Sequence, residues 1–119
     1  ALSDGKQVDI EIQVIPSVYM PERTLFYWSK MYTMQIKKGD TYDVLKKCIT
    51  INIIDYEFLP VNKFHTVYHL VEDKTRYCLT DVLEVHFLEL EKLRNGMEIS
   101  DTDDPALKWM RFLAARTKG

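Results

Sequence analysis

The first periodic stretch of the chain is VDIEIQV, Val8–Val14, in which apolar and polar residues alternate. Successive side chains of a strand point to opposite faces. Val8, Ile10, Ile12 and Val14 therefore share one face, and Asp9, Glu11 and Gln13 the other. The pattern predicts a strand over Gln7–Ile15, ended by Pro16. Pro21 and Glu22 then mark a helix start, because proline loses no needed N–H in the first turn and a carboxylate suits the positive end of the helix dipole. A helix is expected over 21–38, with Gly39 ending it. Phe26, Tyr27, Trp28 and Tyr32 crowd one short piece of that helix. Such density predicts a helix buried almost all round. Leu25, Trp28, Tyr32 and Gln35 recur at helical spacing, while Arg23, Tyr27, Lys30 and Met34 form a second stripe.

Cys48–Phe58, CITINIIDYEF, is rich in β-branched residues. It predicts a central strand covered on both faces, closed off by Pro60. Residues 40–47 suit a further helical turn. Phe64–Glu72 alternates as a strand, Asp73-Lys74 turns, Tyr77–Leu79 pairs back, and Val82–Leu90 alternates again, with His86 on the sheet surface. Asp104-Pro105 opens a last helix to about Arg116, whose apolar stripe is Leu107, Met110, Leu113 and Ala114. The order strand, helix, strand, strand, strand, helix predicts an α/β (α+β) domain, a mixed sheet flanked by helices. Asp4-Gly5 reads as a hairpin turn with only a few residues before it. The chain is thus expected to begin inside a hairpin, as the C-terminal portion of a longer domain.

At 119 residues, 46% of them hydrophobic, the chain is long enough for one domain with a sizeable core. Its formal net charge is −2 and its isoelectric point about 5.9. That balance argues against a free-standing, tight nucleic-acid binder, which is normally basic. It leaves room for a metal-dependent nuclease, since a cation neutralises a carboxylate site. Lys37-Lys38 and Lys46-Lys47 read as solvated faces. Cys48 and Cys78 are far apart in sequence and suit a reduced, cytoplasmic protein. No apolar run approaches the ~20 residues of a membrane span, and no signal peptide is visible.

Glu11 and Gln13 sit on one strand face with Cα atoms roughly 7 Å apart. Both offer oxygen to a hard cation. The competing reading is the ordinary polar face of an edge strand. Arg23, Tyr27 and Lys30 share a helix face on which the cations suit phosphate and the phenol suits a base. The competing reading there is a core tyrosine between two solvated cations. His65 and His69, on a strand, stand roughly 13 Å apart, too far for one zinc.

Taken together and in order, VDIEIQV, PERTLFYWSKMY, QIKKGDTY, INIIDYEF, LTDVLEVHFLEL and DDPALKWMRFL resemble the PD-(D/E)XK-type family of recombination-promoting nucleases and transposases. The resemblance covers most of the chain. It implies a restriction-endonuclease-like core with its N-terminal elements missing, and a metal-dependent DNA endonuclease using Mg²⁺. It assigns Glu11 as metal ligand and Gln13 as its catalytic neighbour. Arg23, Tyr27, Lys30 and Gln35 would flank the site and meet DNA. Two departures stand out. The family's aspartate on the preceding strand is not found, and Asp9 replaces it only if the strand bends. Gln13 stands where related nucleases carry lysine; it brings no charge, yet its amide can orient water or ligate through oxygen. Two functions follow: an endonuclease in the whole protein, inactive in this portion alone, or a non-catalytic protein-interaction module on a degenerate nuclease fold. An unpaired edge at 7–15 further predicts a homo-oligomer, most simply a two-fold dimer.

Overall fold

The computed structural model describes residues 5–95. The elements in chain order are β1 (Gln7–Gln13), α1 (Met20–Thr33), β2 (Cys48–Ile54), β3 (His65–Val71), β4 (Cys78–Glu89) and α2 (Leu90–Arg94). They build a four-stranded sheet in the order β1-β2-β4-β3. The pairs β1–β2 and β2–β4 are parallel, and β3 runs antiparallel to β4 at the far edge. This is the mixed α+β sheet expected from the hydrophobic pattern. The last predicted helix, 105–116, and Asp4 of the N-terminal turn lie outside the described residues. Gly5 has φ +87°, a conformation that a turn glycine adopts without strain.

Why β2 is central is plain from its residues. CITINII buries alternate side chains on both sheet faces, as a parallel strand between two neighbours must. Toward α1 it buries Cys48, Thr50, Asn52 and Ile54. On that face Met20, Ile54, Val85 and Phe87 form a core with Tyr56, Phe58, Leu59 and Leu83 packed against it. The opposite face holds Ile53, Phe64, Leu88, Leu90 and Leu93, with Ile51 beside them.

Several expectations need correcting. The first strand ends at Gln13 rather than Ile15. β2 ends at Ile54, not Phe58, because the backbone turns at Asp55-Tyr56. Helix α1 stops at Thr33, not residue 38. Beyond it Lys37 N donates to Asp40 Oδ2 (2.9 Å) and Asp40 N to the Lys37 carbonyl (2.9 Å), forming a separate turn around Gly39 at φ +95°. The further helical turn expected in 40–47 is a short 3-10 turn, Tyr42–Val44. The two stretches expected over 77–79 and 82–90 are one strand, β4 (Cys78–Glu89), whose first half pairs back on β3 through Val71–Cys78 and Leu70–Thr80, while Leu90 begins α2.

Most consequential, α1 is not buried all round. Only Met20 and Thr24 are buried, and Phe26 is 61% exposed. The helix packs on β1 and β2 through one side only. The remaining aromatics stack on one another instead, Trp28 on Tyr32 at 4.6 Å and Phe26 edge-on to Tyr27 at 5.7 Å.

Candidate functional site

A polar seam runs between α1 and the sheet. Parallel register places Asp9 beside Thr50 and Glu11 beside Asn52. Asp9, Glu11 and Gln13 thus face the same side as the buried Thr50 and Asn52, under the helix. Thr24 Oγ1 lies 2.8 Å from Thr50 Oγ1. Asn52 Nδ2 donates to Thr24 Oγ1 at 2.9 Å and to the His86 carbonyl at 3.1 Å. Trp28 Nε1 donates to the Cys48 carbonyl at 2.8 Å. These bonds fix α1 against β2 and so fix the side chains that α1 sends toward β1.

Arg23 is the first of those. Its guanidinium stands 3.5 Å from Glu11 Oε1. Its carbon lies 5.0 Å from the centre of the Tyr27 ring, a cation–π arrangement that props it over the strand. The structure therefore brings Glu11, Arg23 and Tyr27 together. Asp9 joins them, with its carboxyl within hydrogen-bonding reach of Glu11. Burial raises the Asp9 pKa, the charge and hydrogen bond of Glu11 add to the rise, and Arg23 opposes it. One Asp9 oxygen, Oδ2, is shielded from solvent and has no hydrogen-bond partner. Gln13 shares the face and turns its amide Nε2 toward the Ile15 carbonyl at 3.4 Å.

Two residues assigned to this site go elsewhere. Lys30 lies exposed over the Phe26 ring, 5.8 Å from its centre. Gln35 lies beyond the helix and spends its amide on the chain leading into β2. Its Oε1 accepts from Lys46 N at 2.6 Å, and its Nε2 donates to the Lys46 carbonyl at 3.0 Å and to Cys48 Sγ at 2.9 Å. Burial raises the Cys48 thiol pKa, and the Gln35 bond offsets part of that.

Two further clusters gave no sequence signal. On the sheet face away from α1, His65 Nε2 lies 2.8 Å from His86 Nδ1, and His86 Nε2 lies 2.6 Å from Glu84 Oε2. Glu84 Oε1 also meets Lys47 Nζ at 2.8 Å and His69 Nε2 at 3.1 Å. Burial opposes ionisation of Glu84, but bonds from His86, Lys47 and His69 outweigh it and pull its pKa to about 2. His86 is thus half-buried in a network rather than a bare sheet-surface residue, and Lys47 is paired rather than free in solvent. The second cluster is a buried ion pair at the end of β4, Glu89 with Lys92, 2.7 Å apart.

Residues 1–119 match the sequence profile described as PD-(D/E)XK nuclease family transposase. The chain belongs to that family. Comparison with curated proteins and with solved structures gives no match. The mixed sheet with its helices is consistent with a restriction-endonuclease-like PD-(D/E)XK domain. PD-(D/E)XK nucleases generally use divalent metal ions and act on DNA, so the seam must be tested as a cation site. Among the described residues, no group of three or more His, Cys, Asp or Glu is placed to hold a metal. What the seam does offer is a pair of carboxylates and an amide on one strand, with a carboxylate oxygen left unpartnered. That all-oxygen donor set fits a hard divalent cation that keeps several waters. No helix among the described residues is long and apolar enough to cross a membrane.

Proposed function

We propose that this chain carries the site of a metal-dependent DNA endonuclease, the hydrolytic member of a transposase-type nuclease. The observation that carries this reading is the Glu11-x-Gln13 pair on an edge strand, held under the Arg23 guanidinium in a chain of this family. Glu11 holds the cation through its carboxylate. A divalent cation there supplies Lewis-acid polarisation of the scissile phosphate and a water of lowered pKa. Gln13 would orient an attacking water through its amide. Arg23, 41% exposed at its side chain and braced on Tyr27, swings from Glu11 to a DNA phosphate. Lys30, on the open outer face of α1, adds a more distant phosphate contact.

Gln13 brings no positive charge to the developing anion. Cleavage is therefore expected to be slower than with a lysine at that position. Glu11→Ala should abolish Mg²⁺-dependent cleavage of duplex DNA while leaving the melting temperature nearly unchanged. Undiminished cleavage by that variant refutes the assignment.

A second reading has its own support. The apolar face of β1 is open, with Ile10 59% and Ile12 68% exposed and Val14, Ile15 and Val18 beyond them. β1 is also an edge strand with its outer backbone groups unpaired among the described residues. Such an edge recruits another strand. A non-catalytic interaction module that self-associates as a two-fold dimer through β1 accounts for these features, and an active nuclease can share the same contact.

A further inference from the structure

The Glu11 reading leaves Asp9 unexplained. Its position two residues before Glu11 puts both carboxyls on one side of β1, beneath α1. Its Oδ2 is shut off from solvent and has no hydrogen-bond partner. Donors nearby are committed to others. Asn52 spends both amide hydrogens, on Thr24 Oγ1 and on the His86 carbonyl. Arg23 directs its guanidinium to Glu11. An unpaired carboxylate oxygen in a shielded place is costly, and a second carboxylate beside it makes the cost larger. A single hard cation between the two relieves both. The spacing suits one, since carboxylate oxygens on a common Mg²⁺ or Mn²⁺ lie about 2–2.2 Å from the ion, and neighbours on a strand face converge over roughly 7 Å of backbone.

We infer that Asp9 is a second carboxylate ligand of the cation held by Glu11, supplied by the same strand rather than the preceding one. Asp9 binds through the oriented Oδ2, and Arg23 holds the place of the ion's charge beside Glu11 when no ion is bound. This rests on the Glu11 reading and adds to it a ligand that the family pattern does not assign.

Mn²⁺ titration by calorimetry, with thermal melts in chelator and in Mn²⁺, tests this on the wild-type protein, Asp9→Asn and Glu11→Gln. Both substitutions keep side-chain shape. Wild type should bind Mn²⁺, and each variant should bind it at least roughly tenfold more weakly, the loss being that of a ligand. In chelator, Asp9→Asn should melt at or above wild type, because it removes an uncompensated shielded charge. Mn²⁺ should then raise the melting temperature of wild type but not of Asp9→Asn. A purely structural Asp9 gives the opposite, a variant destabilised in chelator with Mn²⁺ binding intact. That result, or undiminished Mn²⁺ binding by Asp9→Asn alongside weakened binding by Glu11→Gln, overturns the Asp9 assignment and leaves Glu11 standing. No Mn²⁺ binding by wild type, or undiminished binding by Glu11→Gln, overturns both. If Asp9→Asn does not fold, Asp9→Glu takes its place. Retained Mn²⁺ binding by Asp9→Glu with loss in Asp9→Ser supports the ligand, and equal binding by the two overturns it.

Discussion

Replacing Lys92 by methionine should cost this fold a large part of its stability. Lys92 is 3% exposed and Glu89 fully buried. The ammonium donates to Glu89 Oε2 at 2.7 Å, to the Leu59 carbonyl at 3.0 Å and to the Val61 carbonyl. Glu89 Oε1 in turn accepts from the backbone N–H of Phe58 at 2.6 Å and of Leu59 at 3.0 Å. One ion pair thereby ties the loop after β2 to the end of β4. Methionine matches the lysine stem but leaves a buried carboxylate without its cation and two carbonyls without a donor. Removing one partner of a buried pair typically costs about 3–5 kcal/mol, against about 5–15 kcal/mol for a whole domain. Urea unfolding followed by far-ultraviolet circular dichroism measures the loss. Adding Glu89→Gln should recover at least about 1 kcal/mol, because the amide oxygen still accepts from Phe58 or Leu59 while the unpaired charge is gone. Lys92→Met within about 1 kcal/mol of wild type, or a double variant no better than the single, would refute the reasoning.

Three further outcomes are expected. Glu84 has a folded pKa depressed from 4.5 to about 2, so its contribution is present above pH 4.5 and is lost as pH falls toward 2. Glu84→Gln should cost on the order of 2–3 kcal/mol near neutrality and flatten the stability profile between pH 4.5 and 2; an unchanged acid limb contradicts the network. Gln35→Ala should lower stability by about 1–2 kcal/mol without altering Mn²⁺ affinity, and a selective loss of Mn²⁺ binding would place Gln35 back in the site. Sedimentation at micromolar concentration should show a dimer that Ile12→Lys dissociates, whereas a wild-type monomer removes the case for pairing through β1.

The strands were legible because alternation survives whatever packs on them: VDIEIQV and CITINII read as a one-sided and a two-sided strand, and so they stand. Helix α1 misled in its burial, since aromatic density reports what a helix can cover and not how many of its sides other elements pack against. Its end was misread because residues 34–38 carry no breaker, and the Asp40 side chain that closes the following turn looks unremarkable in sequence. Glu11 and Arg23 could each be picked from local spacing, while their pairing depends on where α1 lies across β1. The His65–His86–Glu84 contacts depend on the antiparallel offset of β3 against β4, which no single stretch encodes. Glu89 shares its strand face with the apolar Leu83, Val85 and Phe87, and nothing in the local pattern names its partner. Only the return of the loop at Phe58 and Leu59 makes it interior.

The hydroxyl and amide contacts of Thr24, Thr50 and Asn52 work as a key in a lock for the helix. A purely greasy seam would let α1 slide or roll by a fraction of a turn at little cost. A seam of directional bonds accepts one setting, because any slip strands buried polar atoms. Register is thus enforced from the inner side, which frees the outer side of α1 from that duty. Phe26, Ser29, Lys30 and Thr33 on that side can drift in sequence without moving Arg23 relative to Glu11. What the helix meets outside can thus change while the Glu11–Arg23 pair beneath it stays in place.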